Sequence, residues 1–422
     1  MTQDRTTLQL LAPWVAVAGS IGLAAASVQA RAQDPVAPWL RYNVGKVVIL
    51  PHLDVASLYT DNLFSLGSGL RFSDVITSVM PGLRLKWDEN AQVDASVNYR
   101  HGEMLIWDNS DFNSTSDTID AQLGYSTPKL QVRATATYSD TLALQGGQLN
   151  LGRQLLGTKR AGGQVRAVYD WTPKTDLIGS IRYDLSDYDS LFLLDQQQLE
   201  GHMGGTHELT SKLRLTFDGK GGWTQVTPNQ LLQPSVNSLF YGALVGVRGT
   251  FTPKLTGSVK LGYEARDLES GLVSASTPAF SVDVTYLPNL MTQVVLAYDR
   301  STGVAPWIAS QITVTDTVRL QANKAIGTTG RWIGSGSAKF ALGEFQWDAT
   351  KAPAGSLDLG RSDQMLGLEL ALQYKPQAWL ACTASYSHDR YEVNFDDPRA
   401  ATAVLARSYH ANRVTLMVSL GF

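Results

Sequence analysis

From about residue 45 to the end of the chain, apolar and polar positions alternate in runs that fit β-strands. In "KLQVRATATYS" Leu130, Val132, Ala134, Ala136 and Tyr138 take one face, and Gln131, Arg133, Thr135 and Thr137 take the other. "AQVDASVNYR" repeats the pattern, with Val93, Ala95, Val97 and Tyr99 against Gln92, Asp94, Ser96 and Asn98, and "LTSKLRLTF", "LTGSVKLGY" and "FSVDVTY" follow it. Each run is about ten residues long, enough for a tilted strand to cross a bilayer, and nothing after residue 40 offers the ~20 consecutive apolar residues of a membrane helix.

A corner recurs between these runs: "STPKL" at 126–130, "WTPKT" at 171–175 and "FTPKL" at 251–255. Proline fixes φ and lacks an amide donor, so each corner reads as a tight turn that ends a strand. An aromatic residue stands just upstream, at Tyr125, Trp171 and Phe251. Trp87, Phe217, Tyr286 and Tyr374 hold the same place at "KWDEN", "TFDGK", "YLPN" and "YKPQ". An apolar-face aromatic at the same end of every other strand predicts an interfacial girdle on the periplasmic side.

Longer segments of loop composition lie between the corners, among them "DNSDFNSTSD", "LQGGQLNLGRQ", "DLSDYDSLFLLDQQQLEG", "TKAPAGSLDLGRS" and "NFDDPRAATAVLARS". Short turns at one end and long loops at the other predict an all-β fold, a transmembrane antiparallel β-barrel of about 18 strands over residues 45–422. The stretch 302–360 alternates poorly, and Asp316 falls on its apolar face unless a bulge shifts the register.

Ahead of the barrel, residues 1–32 read as a secretory signal: a mostly apolar run ends at the small residues Ala30 and Ala32, and 33–44 form a short N-terminal segment. Export predicts an outer-membrane location in a Gram-negative cell.

Charge narrows the possible partners. Thirty-five Lys and Arg nearly balance 38 Asp and Glu, for a net charge of -3, which gives no electrostatic footprint for nucleic acid. The face opposite the apolar residues carries Arg84, Lys86, Arg100, Arg133, Arg166, Arg182, Lys212, Arg214, Arg248, Lys260 and Arg413. It also carries Asp94, Asp120, Asp170, Asp184, Glu264, Asp283 and Glu369. A two-signed polar lining predicts a hydrated lumen, with a modest cationic excess. Asp184, Asp187, Tyr188, Asp189 and Phe192 read as an acidic and aromatic cluster on an external loop, suited to contact with sugar.

Catalytic chemistry finds little footing. The nearest constellations are Ser408 with His410 and His388 with Asp389, and adjacent residues on a strand point to opposite faces. Cys382, the single cysteine, falls on the apolar face and lacks the partners of a metal site. The expectation is a non-enzymatic barrel with no cofactor and no metal.

Two ends of the chain carry resemblances. "RVTLMVSLGF" is similar to the C-terminal strand of bacterial outer-membrane barrels, which implies that Phe422 is read by their insertion machinery. "YTDNLF" (59–64) and "VMPGL" (79–83) resemble the opening of a porin-type outer-membrane barrel family often associated with exopolysaccharide or capsule export. That resemblance implies a passive conduit for an exported exopolysaccharide, set in outer-membrane lipid and fed by periplasmic export proteins. A general diffusion porin for small hydrophilic solutes is the alternative, and a barrel enzyme a third reading.

Overall fold

The computed structural model describes residues 40–65, 71–90, 92–143, 156–189, 194–228, 235–269, 274–305, 311–327, 330–346, 361–395 and 408–421. The segment read as a signal, Phe192 and Phe422 lie outside them. A short strand β1 (Tyr42–Val44) is followed by β2 (Val47–Thr60), β3 (Asp74–Asn90), β4 (Val93–Ile106), β5 (Ser114–Ser126), β6 (Leu130–Ala143), β7 (Leu156–Thr172) and β8 (Thr175–Tyr188). Then come β9 (Leu194–Glu208), β10 (Leu213–Pro228), β11 (Val236–Thr252), β12 (Leu255–Leu268), β13 (Ser274–Asn289) and β14 (Thr292–Val304). The last are β15 (Ile312–Ile326), β16 (Trp332–Gln346), β17 (Arg361–Gln377), β18 (Leu380–Phe395) and β19 (Tyr409–Leu420).

From β2 onward each strand pairs antiparallel with the next, and β19 returns to β2 between Arg413↔Thr60 and Leu420↔Leu53, closing an 18-stranded barrel. Closure leaves no free edge, which is what lets strands cross lipid. β1 pairs only with the start of β2.

The outer surface is the alternating apolar set. Leu83, Val97, Leu123, Val165, Val245, Leu261, Leu370 and Leu416 are all exposed on it. Most strands run 13 to 17 residues, longer than the roughly ten needed to span a bilayer, so their upper ends stand in water above it. This corrects the loop boundaries read from composition. "DLSDY" continues β8 to Tyr188 and "LDQQQLE" opens β9, because polar strand residues are tolerated beyond the lipid.

The repeated corner has a local cause. In two of the three "TPK" corners the threonine hydroxyl accepts from the lysine amide two residues on, Thr172 to Lys174 and Thr252 to Lys254, each at 3.3 Å, and in the third Thr127 accepts from the Leu130 amide at 3.0 Å. The proline between them needs no acceptor for an amide it lacks. "TSK" at 210–212 makes the same bond at 3.3 Å, which places Lys212 in a turn and off the lumen wall where the alternation had put it.

Candidate functional site

The girdle residues stand where the corners bring them. Trp87, Tyr125, Trp171, Phe217, Phe251 and Tyr286 are exposed on the outer face at the short-turn end, and Tyr374 stacks on Trp332 at 4.3 Å across β16 and β17. A second belt, unread in the sequence because no corner marks it, crosses the outer face nearer the other end. Tyr59, Tyr99, Tyr138, Tyr183, Tyr241, Tyr263 and Tyr386 form it, all exposed. Two aromatic belts flanking an aliphatic band are the two interfaces of a membrane.

The opposite face is polar. Arg84 lies opposite Asn98, Asp120 opposite Asn98 and Thr137, Arg133 opposite Arg166, and Arg214 opposite Arg248. Asp94 lies over Gly124, Asp283 opposite Ser258, and Glu369 between Ser337 and Ser387. Many of these charges are paired: Arg100 with Asp120 at 3.8 Å, Arg214 with Asp176 at 3.1 Å, and Arg182 with Asp184. Lys260 reaches Asp218 of β10 over Gly246 of β11, where any side chain would collide with the lysine arm.

The expected sugar cluster does not assemble. Asp184 is held by Arg182, Asp187 and Tyr188 point to opposite faces of β8, and Asp189 lies just past that strand with its amide bonded to Gly157. Alternation along a strand separates neighbours that a loop could have gathered. The histidine constellation is likewise split. Asp389 accepts from Arg413, while His388 bonds Asn412 at 2.8 Å on the other face. Among the described residues no group of His, Cys, Asp and Glu could hold a metal ion.

The most distinctive feature is where the wall divides. β12 and β13 stay paired up to Asp267↔Ser274, and β14 and β15 up to Val304↔Ile312. The pairing of β13 with β14 stops at Ser281↔Asp299. Above that point the β14–β15 hairpin, still paired to β16 as far as Ile312↔Gln346, parts from β13 and tucks inside it. Thr302, Ile312 and Val314 have the outward parity of their strands, yet are 2%, 0% and 1% exposed. They pack against the inward residues of the wall: Ile312 joins Leu194, Val226, Val236, Leu268 and Ala275 in one buried cluster, with Val304 against it. Pro278, which has no amide donor, sits in the stretch of β13 that keeps β12 as a partner but has lost β14.

A polar network pins the hairpin there. The Glu264 carboxylate on β12 accepts from the Thr302 amide (3.3 Å) and from the Thr302 hydroxyl, and takes the Lys220 ammonium at 2.7 Å. Gly242 on β11 lies between Lys220 and Glu264 and lets the lysine pass. Arg266 donates to Ser238 (2.9 Å), Thr224 (3.2 Å) and Thr302 while its guanidinium lies 4.5 Å from the centre of the Phe240 ring. Asp316 is explained by the same move. The β14–β15 register carries no bulge, and Asp316 accepts from Tyr298 at 2.7 Å with Arg300 at 3.7 Å, at the place where the hairpin turns from the wall. On its outward face Asp316 is met by Tyr298 and Arg300 of the neighbouring strand, and its side chain stays 30% exposed.

A second inward element follows β2. In "YTDNLF" Leu63 and Phe64 turn inward and join Leu58, Ile76 and Ile106 in a buried cluster, with Phe112 edge-on to Phe64 at 5.1 Å. Asp61 accepts from the Asn412 amide at 2.7 Å and its side-chain nitrogen at 2.6 Å, and Asn62 donates to the His410 carbonyl at 2.8 Å. The motif continues the β19–β2 closure above the last paired residues.

A closed antiparallel barrel with two aromatic belts, a charged lumen and an inward-folded hairpin defines an outer-membrane channel of porin type. The chain belongs to the family described as putative beta-barrel porin 2, which matches residues 194–422, more than half of its length. The segments "YTDNLF" and "VMPGL" lie ahead of that match. No curated protein matches the chain. Among solved structures it is similar to the FrpB iron transporter from Neisseria meningitidis, with 9% identity, a TM-score of 0.49, and 88% of this chain and 81% of that one covered. It is also similar to OccK3 (OpdO) from Pseudomonas aeruginosa, with 14% identity, a TM-score of 0.46, and 89% and 96% covered.

Proposed function

We propose that this barrel is a normally closed conduit through which an exopolysaccharide leaves the cell. The observation that carries the reading is the β14–β15 hairpin, folded across the inner wall and held by Glu264 and Arg266. A hairpin held inside the lumen by a buried polar network narrows the path through it. A conduit used only when polymer passes must limit leakage at other times. In this reading the barrel catalyses nothing, residues 1–32 direct export, and separate periplasmic proteins deliver the polymer. The alternative, a diffusion porin for small hydrophilic solutes, is favoured by the polar wall below the hairpin, where Arg133 and Thr137 are exposed.

Planar-bilayer recording and gene deletion separate the two. The conduit shows low or flickering conductance in the intact protein, and the deletion strain lacks surface polysaccharide while taking up small solutes normally. Large steady conductance together with unchanged surface polysaccharide would favour the porin.

A further inference from the structure

On the β6–β11 side of the lumen, cations outnumber their partners. Arg133 of β6 and Arg166 of β7 are directly opposite each other on adjacent strands. Like charges in that position repel. Neither has a carboxylate within ion-pair distance among the described residues, and neither has Arg248 of β11. Arg248 stands opposite Arg214, and Arg166 and Arg248 lie within electrostatic reach of each other although three strands separate theirs. The nearby carboxylates compensate this patch only in part, Asp218 bearing on Arg166 without forming an ion pair with it. Asp218 is taken by Lys260 and Asp176 by Arg214 and Thr206, and Asp283 bears on Arg248 without forming an ion pair. All of these arginines lie in the halves of their strands nearest the short turns, so a solute entering from the periplasm meets them before it reaches the hairpin.

We infer that Arg133, Arg166 and Arg248 form an anion-binding lane at the periplasmic side of the lumen, taking solutes that bear carboxylate, sulfate or phosphate groups. Guanidinium forks bind such oxyanions bidentately, and an anion lying between Arg133 and Arg166 turns their repulsion into a shared attraction. The inference rests on the conduit reading and names its cargo class, a polymer with acidic sugars. A free small anion would use the same chemistry.

The test is calorimetric titration of the full-length protein in detergent with tetragalacturonate, maltotetraose and inorganic phosphate. Tetragalacturonate binds and weakens as salt rises, maltotetraose does not bind, and R133Q/R166Q/R248Q weakens tetragalacturonate binding at least tenfold with its β-type CD spectrum unchanged. R133K/R166K/R248K keeps the charge and retains an intermediate affinity. Phosphate that binds as tightly as tetragalacturonate assigns the lane to small anions, and weaker phosphate assigns it to the polymer. Equal affinity in the glutamine variant, or equal binding of the neutral sugar, overturns the inference. Binding in detergent does not depend on the hairpin, so intact binding with no effect of hairpin release on conductance would sink the closed-conduit reading alone.

Discussion

Glu264 of β12 accepts a hydrogen bond from the backbone amide of Thr302 of β14, reaching past the strand that separates them. In a continuous wall that amide would face β13. The carboxylate therefore replaces the ladder partner that the hairpin lost on moving inward, and its remaining charge is met by Lys220. An orphaned buried amide is costly, so this one contact helps hold the hairpin inside the barrel.

Glu264→Ala in combination with Arg266→Met should release the hairpin. Removing one partner of a buried ion pair costs about 3–5 kcal/mol, most of it from the charge left behind, and removing both Glu264 and Arg266 frees Thr302 of its anchors. The expected readout is higher and steadier single-channel conductance, with greater sensitivity of cells to bulky antibiotics. Conductance indistinguishable from the parent would show that the network does not hold the closed state.

Val245 lies about midway between the two aromatic belts on β11 and is 53% exposed on the outer face. Val245→Arg should cost about 2 to 4 kcal/mol in lipid, against little for an arginine at the inward Gln122. Urea unfolding of the bilayer-inserted protein measures both.

Asp61 should give the β19–β2 closure an acid limb. Burial opposes ionisation of this carboxyl, but the two donors of Asn412 and the nearby Arg71 outweigh it and hold it below the usual carboxylate range. A depressed folded value means that the stabilisation is complete above about pH 4 and is lost as pH falls through the folded value. Urea midpoints in detergent should therefore drop on acidification in the parent. They should be lower and flatter over that window in Asp61→Asn, and parallel pH profiles would contradict the assignment.

Sidedness follows from the corners. An epitope placed between 396 and 407 should be reached by antibody on intact cells, while one beside Pro173 should be reached only after the outer membrane is permeabilised. The reverse labelling would invert the barrel and leave its fold intact.

The barrel itself was legible in the chain because side-chain period and turn chemistry are local. Val132, Ala134 and Ala136 alternate with Gln131, Arg133 and Thr135 whatever the rest of the protein does, and Thr252 caps the Lys254 amide within its own corner. Local pattern also separated the lipid face from the lumen face and marked the lower girdle from Trp87 to Tyr374. It could not tell where a strand leaves the bilayer, so Asp184 to Tyr188 read as loop although they extend β8. Nor could it tell that the outward face at the upper ends of β14 and β15, at Thr302, Ile312 and Val314, meets protein instead of lipid. Thr302 looks like an error in an apolar stripe until Glu264, 38 residues away in sequence, is brought against it. That contact exists only once the strands between are paired, so the existence of the wall was written locally, while the tuck that narrows it was decided by tertiary structure alone.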